Sequence, residues 1–330
     1  MVRRVVALLL LLLALAIAIM TALVAFTPLG DGLGSSLGLI APTPTPFPTS
    51  APFVPTPAPS PTPVLTIKGS PPVLTSLSAY LMDMDTRHVL ADINGEKTLP
   101  MSSTTKIMTA LIAIQTGNLD EPVTITQADV NEVSRFNGSS ADLQVGDVIS
   151  LKNLLYGLML PSGDDAAIAI ADALAGTPDQ FVQRMNLFAY HLHLFQTHYT
   201  NPDGLTPDGQ TNPNHYTTAA DLVRLAQYAM SVPLFAQIVQ TPKYTLAPTG
   251  QHHGYTWKTT NSLLGTYTGM AGIKTGHTQE AGYCLVFAAT RAGHHLIGVV
   301  LHSNTDQSRF NDARSLLDWG FALPMLPPTQ

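Results

Sequence analysis

Residues 282–302 read GYCLVFAATRAGHHLIGVVLH, two β-rich runs joined at Ala292-Gly293. That punctuation between two apolar runs predicts an antiparallel hairpin. Near the other end of the chain, SAYLMDMD (78–85) and HVLADI (88–93) alternate around Thr86-Arg87 and predict a second hairpin. Between the two hairpins the apolar period becomes helical. Ile107, Met108, Leu111, Ile112 and Ile114 mark one helix that ends at Gly117. Ser150 before LKNLLYGLML, Thr177-Pro178 before DQFVQRMNLF and Thr217 before TAADLVRLAQYA signal three more. A final helix is expected at about Asp306–Trp319. Strands at both ends with helices between them imply that the N- and C-terminal strands share one sheet. The predicted class is α/β (α+β), an antiparallel sheet flanked by a mainly helical region, over residues 76–321.

Composition narrows the function. The 330 residues are 45% apolar and 12% charged, with a net charge of −6. No basic run exists beyond Arg3-Arg4, so nucleic acid is not the expected partner. Cys284 is the only cysteine, which excludes an internal disulfide and an iron–sulfur cluster. The histidines show no spacing that marks a metal site, and no metal or organic cofactor is called for. In Val5–Phe26 the only polar residue is Thr21. At ~1.5 Å per residue this run reaches ~33 Å, enough to cross a bilayer core. Residues 1–26 therefore read as a membrane anchor, with Ala16-Ile17-Ala18 offering the alternative of signal cleavage. Arg3 and Arg4 keep the short tail cytoplasmic and send the rest of the chain to the extracytoplasmic side. Residues 27–75 read as a linker: twelve prolines fall between Pro42 and Pro72. Extended as polyproline II, that segment reaches on the order of 95 Å. Residues 322–330 read as a short tail.

Three stretches carry candidate chemistry. MSSTTKIMTA (101–110) places Ser103 three residues before Lys106, so the two face the same way on a helix. Hydroxyls there, that of Ser102 in particular, can simply cap first-turn amides. The lysine does not fit that role, because a cation in the first turn opposes the helix dipole. It does fit a base that activates a serine nucleophile. In LMLPSGDDAAIAIA (158–171), Ser162 sits at a corner between two apolar helices, where it could cap or relay a proton, and Asp164 follows it. In GMAGIKTGHTQEAGYCLVFA (269–288), Lys274-Thr275-Gly276 ends a short apolar strand. A lysine and a hydroxyl there could hold a carboxylate, with free edge-strand amides as oxyanion donors.

In this order, the three stretches resemble the paired motifs of serine β-lactamases and penicillin-binding proteins. LPMSSTTKIMTALIA, LLYGLMLPSGDDAAIAIA, TNPDGL, HYTTAADLVRLAQYA and ARSLLDWGF extend the likeness. Residues 76–321 resemble the D-alanyl-D-alanine carboxypeptidases, low-molecular-mass penicillin-binding proteins of β-lactamase/transpeptidase-like fold. The resemblance implies that Ser103 attacks the bond between two D-alanines of a peptidoglycan stem peptide. It implies Lys106 as general base and Ser162 as proton relay. Lys274 and Thr275 would bind the terminal carboxylate, the amides of Ser103 and His277 would form the oxyanion hole, and β-lactams would acylate Ser103. Asp164 departs from the family's usual asparagine. An ionised carboxylate can only accept hydrogen bonds, and beside Lys106 it would hold the amine as an ammonium ion. Altered efficiency is the expectation. The competing readings are a D,D-endopeptidase, a β-lactamase of the same fold, and a wall-binding homologue disabled by Asp164.

Overall fold

The computed structural model describes residues 64–326 together with Leu15. All of the expected membrane anchor except Leu15, most of the expected linker and the last four residues lie outside the described residues. Among the described residues, no single helix is long and apolar enough to cross a membrane.

The central sheet has five antiparallel strands: β1 (Ser78–Asp83), β2 (Val89–Ile93), β3 (Met270–Thr278), β4 (Gly282–Arg291) and β5 (His294–Ser303). Their spatial order is β2-β1-β5-β4-β3. Both expected hairpins are present, and β5 pairs with β4 on one side and β1 on the other, with Val299 opposite both Val286 and Tyr80. The N- and C-terminal strands therefore share one sheet, as expected. The site-bearing strand β3 lies at an edge.

The apolar runs in β4 and β5 are continuous because both faces of the sheet are covered. Cys284, Val286 and Ala288 pack into the large core with the helical region. The alternating residues Leu285, Phe287 and Ala289 pack against Phe310, Ala313, Leu316 and Leu317 of the last helix. Gly298 of β5 makes room for the Phe287 ring, since a Cβ there would lie 2.5 Å from it. Deleting that ring by Phe287→Ala costs about 3–5 kcal/mol.

Eight helices are described: α1 (Lys106–Thr116), α2 (Gln127–Phe136), α3 (Leu151–Met159), α4 (Asp164–Ala175), α5 (Pro178–His191), α6 (Ala219–Met230), α7 (Pro233–Val239) and α8 (Asp306–Phe321). The first eight residues of α1 are all buried, so this part of the helix is a core element, apolar on every side except at Lys106 and Thr109. Ser150 and Thr177 cap α3 and α5 as expected, accepting from Asn153 and Gln180 backbone amides. The cap of α6 is Thr218, one residue beyond the expected Thr217. Thr217 instead pairs its hydroxyl with Thr197 at 2.8 Å. Val64–Leu65, inside the expected linker, pair with Met325–Leu326, inside the expected tail. The ordered pairing thus reaches beyond 76–321 on both sides.

Candidate active site

The hydroxyl run before α1 does not cap it. Ser102–Thr105 form a short 3-10 turn, and no side chain accepts a hydrogen bond from the first amides of either that turn or α1. The hydroxyls point the other way. Thr104 Oγ1 donates to the Met101 carbonyl at 2.6 Å and Thr105 Oγ1 to the Ser102 carbonyl at 2.8 Å. Such back-bonding to the residue three earlier favours a tight turn over a capped α-helical start. Ser102, expected as a cap, has φ +49° and a buried hydroxyl with no partner. Ser103, the next residue of that turn, is half-buried.

Lys106 follows at the start of α1, fully buried. Its Nζ lies 2.9 Å from Ser103 Oγ, 2.5 Å from Asp164 Oδ1 and 2.8 Å from the Asp203 carbonyl. Three acceptors match the three protons of an ammonium ion. When the amine is neutral, Asp164 and Asp203 engage its two protons and its lone pair faces Ser103. The Asp203 carbonyl comes from the TNPDGL loop, which lies directly against the turn. Gly204 has φ +82°, and a Cβ there would sit 2.0 Å from the Ser102 carbonyl oxygen, so only glycine fits.

Asp164 is the first residue of α4, and Gly163, without a side chain to offer, stands at the cap position. Ser162 does not cap the helix; it has φ +69°, and its hydroxyl accepts from Lys274 Nζ at 2.8 Å. Both oxygens of Asp164 are engaged within the protein. Oδ1 takes Lys106, and Oδ2 takes the Ser139 backbone N–H at 2.7 Å. Asp165 continues the clasp, accepting from Ser140 Oγ and from the Ala141 and Leu143 amides. The two aspartates pin residues 139–143 across the start of α4.

Lys274-Thr275-Gly276 lies within the nine-residue strand β3, not at its end as expected. Lys274 is buried and donates to Ser162 Oγ and to the Thr275 carbonyl, each at 2.8 Å. Burial pushes Lys274 well below the ordinary lysine range; Lys106 and Arg309 add to this and Asp164 opposes it. Thr275 Oγ1 pairs with Thr260 Oγ1 at 2.6 Å. A Cβ on Gly276 would lie 3.2 Å from Ser103 N and from the Met101 carbonyl oxygen, so β3 runs directly against the Ser103 turn. His277 stacks on Tyr283 with ring centres 4.1 Å apart. Its pKa is lowered by partial burial and by Arg309, with Asp208 and Asp306 opposing.

The fold thus brings together Ser103, Lys106, Ser162, Asp164, Lys274, Thr275, Gly276 and His277 from separate stretches of the chain. Sequence reasoning missed the Asp203 carbonyl, Ser139 and Arg309. Buried Arg309 reaches from α8 to donate to the Gly276 carbonyl at 2.9 Å and lies over the Tyr283 ring. Nothing in its local sequence marks it. The Asp203 loop belongs to the stretches that carry the family resemblance, but a backbone acceptor has no sequence signature.

The family model described as D-alanyl-D-alanine carboxypeptidase matches residues 66–305. A D-alanyl-D-alanine carboxypeptidase from a Streptomyces strain is 40% identical over 264 residues, which cover 76% of this chain and 89% of that protein. The Escherichia coli carboxypeptidase DacA is 34% identical over 262 residues, 76% of this chain but 62% of its own length. Among solved structures, a Streptomyces DD-transpeptidase is 39% identical, with a TM-score of 0.73 and coverage of 77% of this chain and 100% of that one. With the family match over residues 66–305 and a relative 40% identical over most of its length, the chain belongs to the D-alanyl-D-alanine carboxypeptidase family of penicillin-binding proteins.

Proposed function

We propose that this chain is a serine-type D-alanyl-D-alanine carboxypeptidase that removes the terminal D-alanine from peptidoglycan stem peptides. One observation carries the reading: Lys106 Nζ is 2.9 Å from Ser103 Oγ, with Asp164 and the Asp203 carbonyl engaging its other protons. Neutral Lys106 takes the Ser103 proton as Oγ attacks the carbonyl between the two D-alanines. The amides of Ser103 and His277 receive the developing oxyanion. Lys274 and Thr275 hold the terminal carboxylate, and the leaving amine takes its proton through the Ser162 side of the site. Water then hydrolyses the Ser103 ester, releasing the shortened peptide and restoring the hydroxyl. A β-lactam acylates the same oxygen.

The similar Streptomyces protein of known structure is a DD-transpeptidase, which suggests a second fate for the same acyl-enzyme: transfer to an amine instead of water. Mass spectrometry of the products from a stem pentapeptide, with and without an acceptor amine, separates the two. Loss of one D-alanine by the parent and not by Ser103→Ala supports the carboxypeptidase. D-alanine release by both proteins sinks Ser103 as the nucleophile.

We further infer that the N-terminal apolar run holds the domain at the extracytoplasmic face of the membrane, on the strength of Arg3-Arg4 followed by Val5–Phe26. The full chain should sediment with membranes, and a chain lacking residues 1–26 should not. Equal partitioning of both would reject the anchor.

A further inference from the structure

His215 takes part in none of the steps above, yet it is buried and every polar atom of its ring is engaged. The Thr200 backbone N–H, which can only donate, lies 3.0 Å from Nδ1. Nδ1 is therefore the acceptor, and the neutral ring carries its proton on Nε2. Nε2 lies 2.8 Å from Thr105 Oγ1 and donates to it. The Thr105 hydroxyl donates its own proton to the Ser102 carbonyl, 2.8 Å away. On the far side, Asn212 Nδ2 donates to Thr200 Oγ1 at 2.8 Å, and the Asn212 backbone N–H donates to the Glu280 carboxylate at 3.0 Å. Glu280 lies in the turn just after β3. Thr200 Oγ1 also lies 3.1 Å from His215 Nδ1, so hydrogen bonds run in one direction from Asn212 Nδ2 to the carbonyl of Ser102, the residue before the nucleophile. The Asn212 backbone ties their far end to the turn after the lysine-threonine-glycine strand.

We propose that His215 is a positioning residue: through Thr105 it holds the Ser102 carbonyl, and with it the left-handed turn that presents Ser103. The inference rests on the reading of Ser103 as nucleophile. Ser102 at φ +49° is in the left-handed region, which a residue with a side chain keeps only where surrounding contacts impose it. Its own hydroxyl has no partner, so the restraint comes through the backbone carbonyl. That carbonyl is gripped by Thr105 and backed by Gly204. Burial, with His198 and Lys106 adding to it, pushes His215 down to about 3. The ring therefore stays neutral at neutral pH, with its proton on Nε2 because the Thr200 N–H occupies Nδ1, and a second proton on Nδ1 would face that N–H.

The test compares acylation by a fluorescent penicillin in the parent, His215→Gln and His215→Asn. A glutamine amide nitrogen reaches the Nε2 position and keeps the donor to Thr105. An asparagine amide oxygen reaches the Nδ1 position, keeps the acceptor for Thr200 and loses that donor. Both remove the ring, so a purely structural role predicts equal effects. The expected result is acylation slowed on the order of tenfold or more in His215→Asn, with His215→Gln close to the parent. Equal rates in the two variants, whether fast or slow, overturn the proposal. If His215→Asn does not fold, Thr105→Val against Thr105→Ser decides in the same way: valine should slow acylation and serine should not, and equal rates overturn it. Labelling of the parent, absent in Ser103→Ala, tests the underlying reading separately. An unlabelled parent overturns both, and a labelled parent with indistinguishable variants overturns only this inference.

Discussion

Replacing Asp164 by asparagine separates the two tasks that its carboxylate performs. One oxygen accepts from Lys106 at 2.5 Å and the other from the Ser139 N–H at 2.7 Å, in a side chain that is almost wholly buried. An amide has one acceptor. If that oxygen stays on Lys106, the NH₂ group faces the Ser139 N–H, donor against donor, and an unsatisfied buried donor costs ~1–3 kcal/mol. The loop has little room to turn away, since a Cβ on Gly138 would lie 2.2 Å from Asp164 Oδ2. For a domain of this size, 1 kcal/mol corresponds to ~2–4 °C, so Asp164→Asn should melt about 2–12 °C below the parent. Activity should survive, because the amide oxygen still engages Lys106 and the Asp203 carbonyl is untouched. Asp164→Ala should lose both, since removing one partner of a buried pair costs about 3–5 kcal/mol. Calorimetry and D-alanine release from a stem pentapeptide, measured on the parent and both variants, read the two effects. An Asp164→Asn protein with unchanged melting temperature would refute the role of the Ser139 bond. A folded but inactive one beside an active parent would refute the claim that an acceptor oxygen is all Lys106 needs.

Two further outcomes follow from the same geometry. Gly276→Ala sets a methyl 3.2 Å from Ser103 N and the Met101 carbonyl, so β3 and the nucleophile turn must part by a few tenths of an ångström; kcat/KM for D-alanine release should fall by about tenfold or more, and an unchanged value would show that the spacing of the two walls does not set the position of Ser103. For pH, the folded His215 titrates at about 3, whereas an unfolded histidine titrates at ~6.5. Between those values only the unfolded chain binds the proton, so His215 makes stability fall as pH drops through that window, by ~1.4 kcal/mol per unit. Urea denaturation at pH 7 and pH 5 should therefore show a loss about 2 kcal/mol smaller in His215→Gln than in the parent. Parallel losses would contradict the buried neutral ring.

Much of the scaffold is legible in the sequence because its signals are local. Alternation around Thr86-Arg87 defines β1 and β2, the Ala292-Gly293 punctuation between two apolar runs defines β4 and β5, and Ser150 and Thr177 cap their helices by reaching only three residues ahead. Ser103 and Lys106 meet because residues three apart share a face. The misreadings share one cause. Ser102 reads as a cap in the sequence, but the Thr104 and Thr105 hydroxyls take the carbonyls behind them and wind the segment into a 3-10 turn. Lys274-Thr275-Gly276 reads as the end of a strand, because polar residues in an apolar run look like a terminus; β3 continues through them since Ser162 and Thr260 receive their polar groups.

The sequence by itself determined the class of fold, the serine and lysine that face one another, and the family to which the chain belongs. The first two follow from spacings of two, three or four residues, over which backbone geometry alone sets what can meet; the third follows from motifs that stand in the family's order. Only the tertiary structure decided what surrounds Lys106. Its partners Asp164 and Asp203 lie 58 and 97 residues away, and the carboxylate that looks in sequence like a competitor for the amine also fastens Ser139 to the site. Contacts at that separation depend on how helices and sheet close over a common core, and no local pattern encodes them.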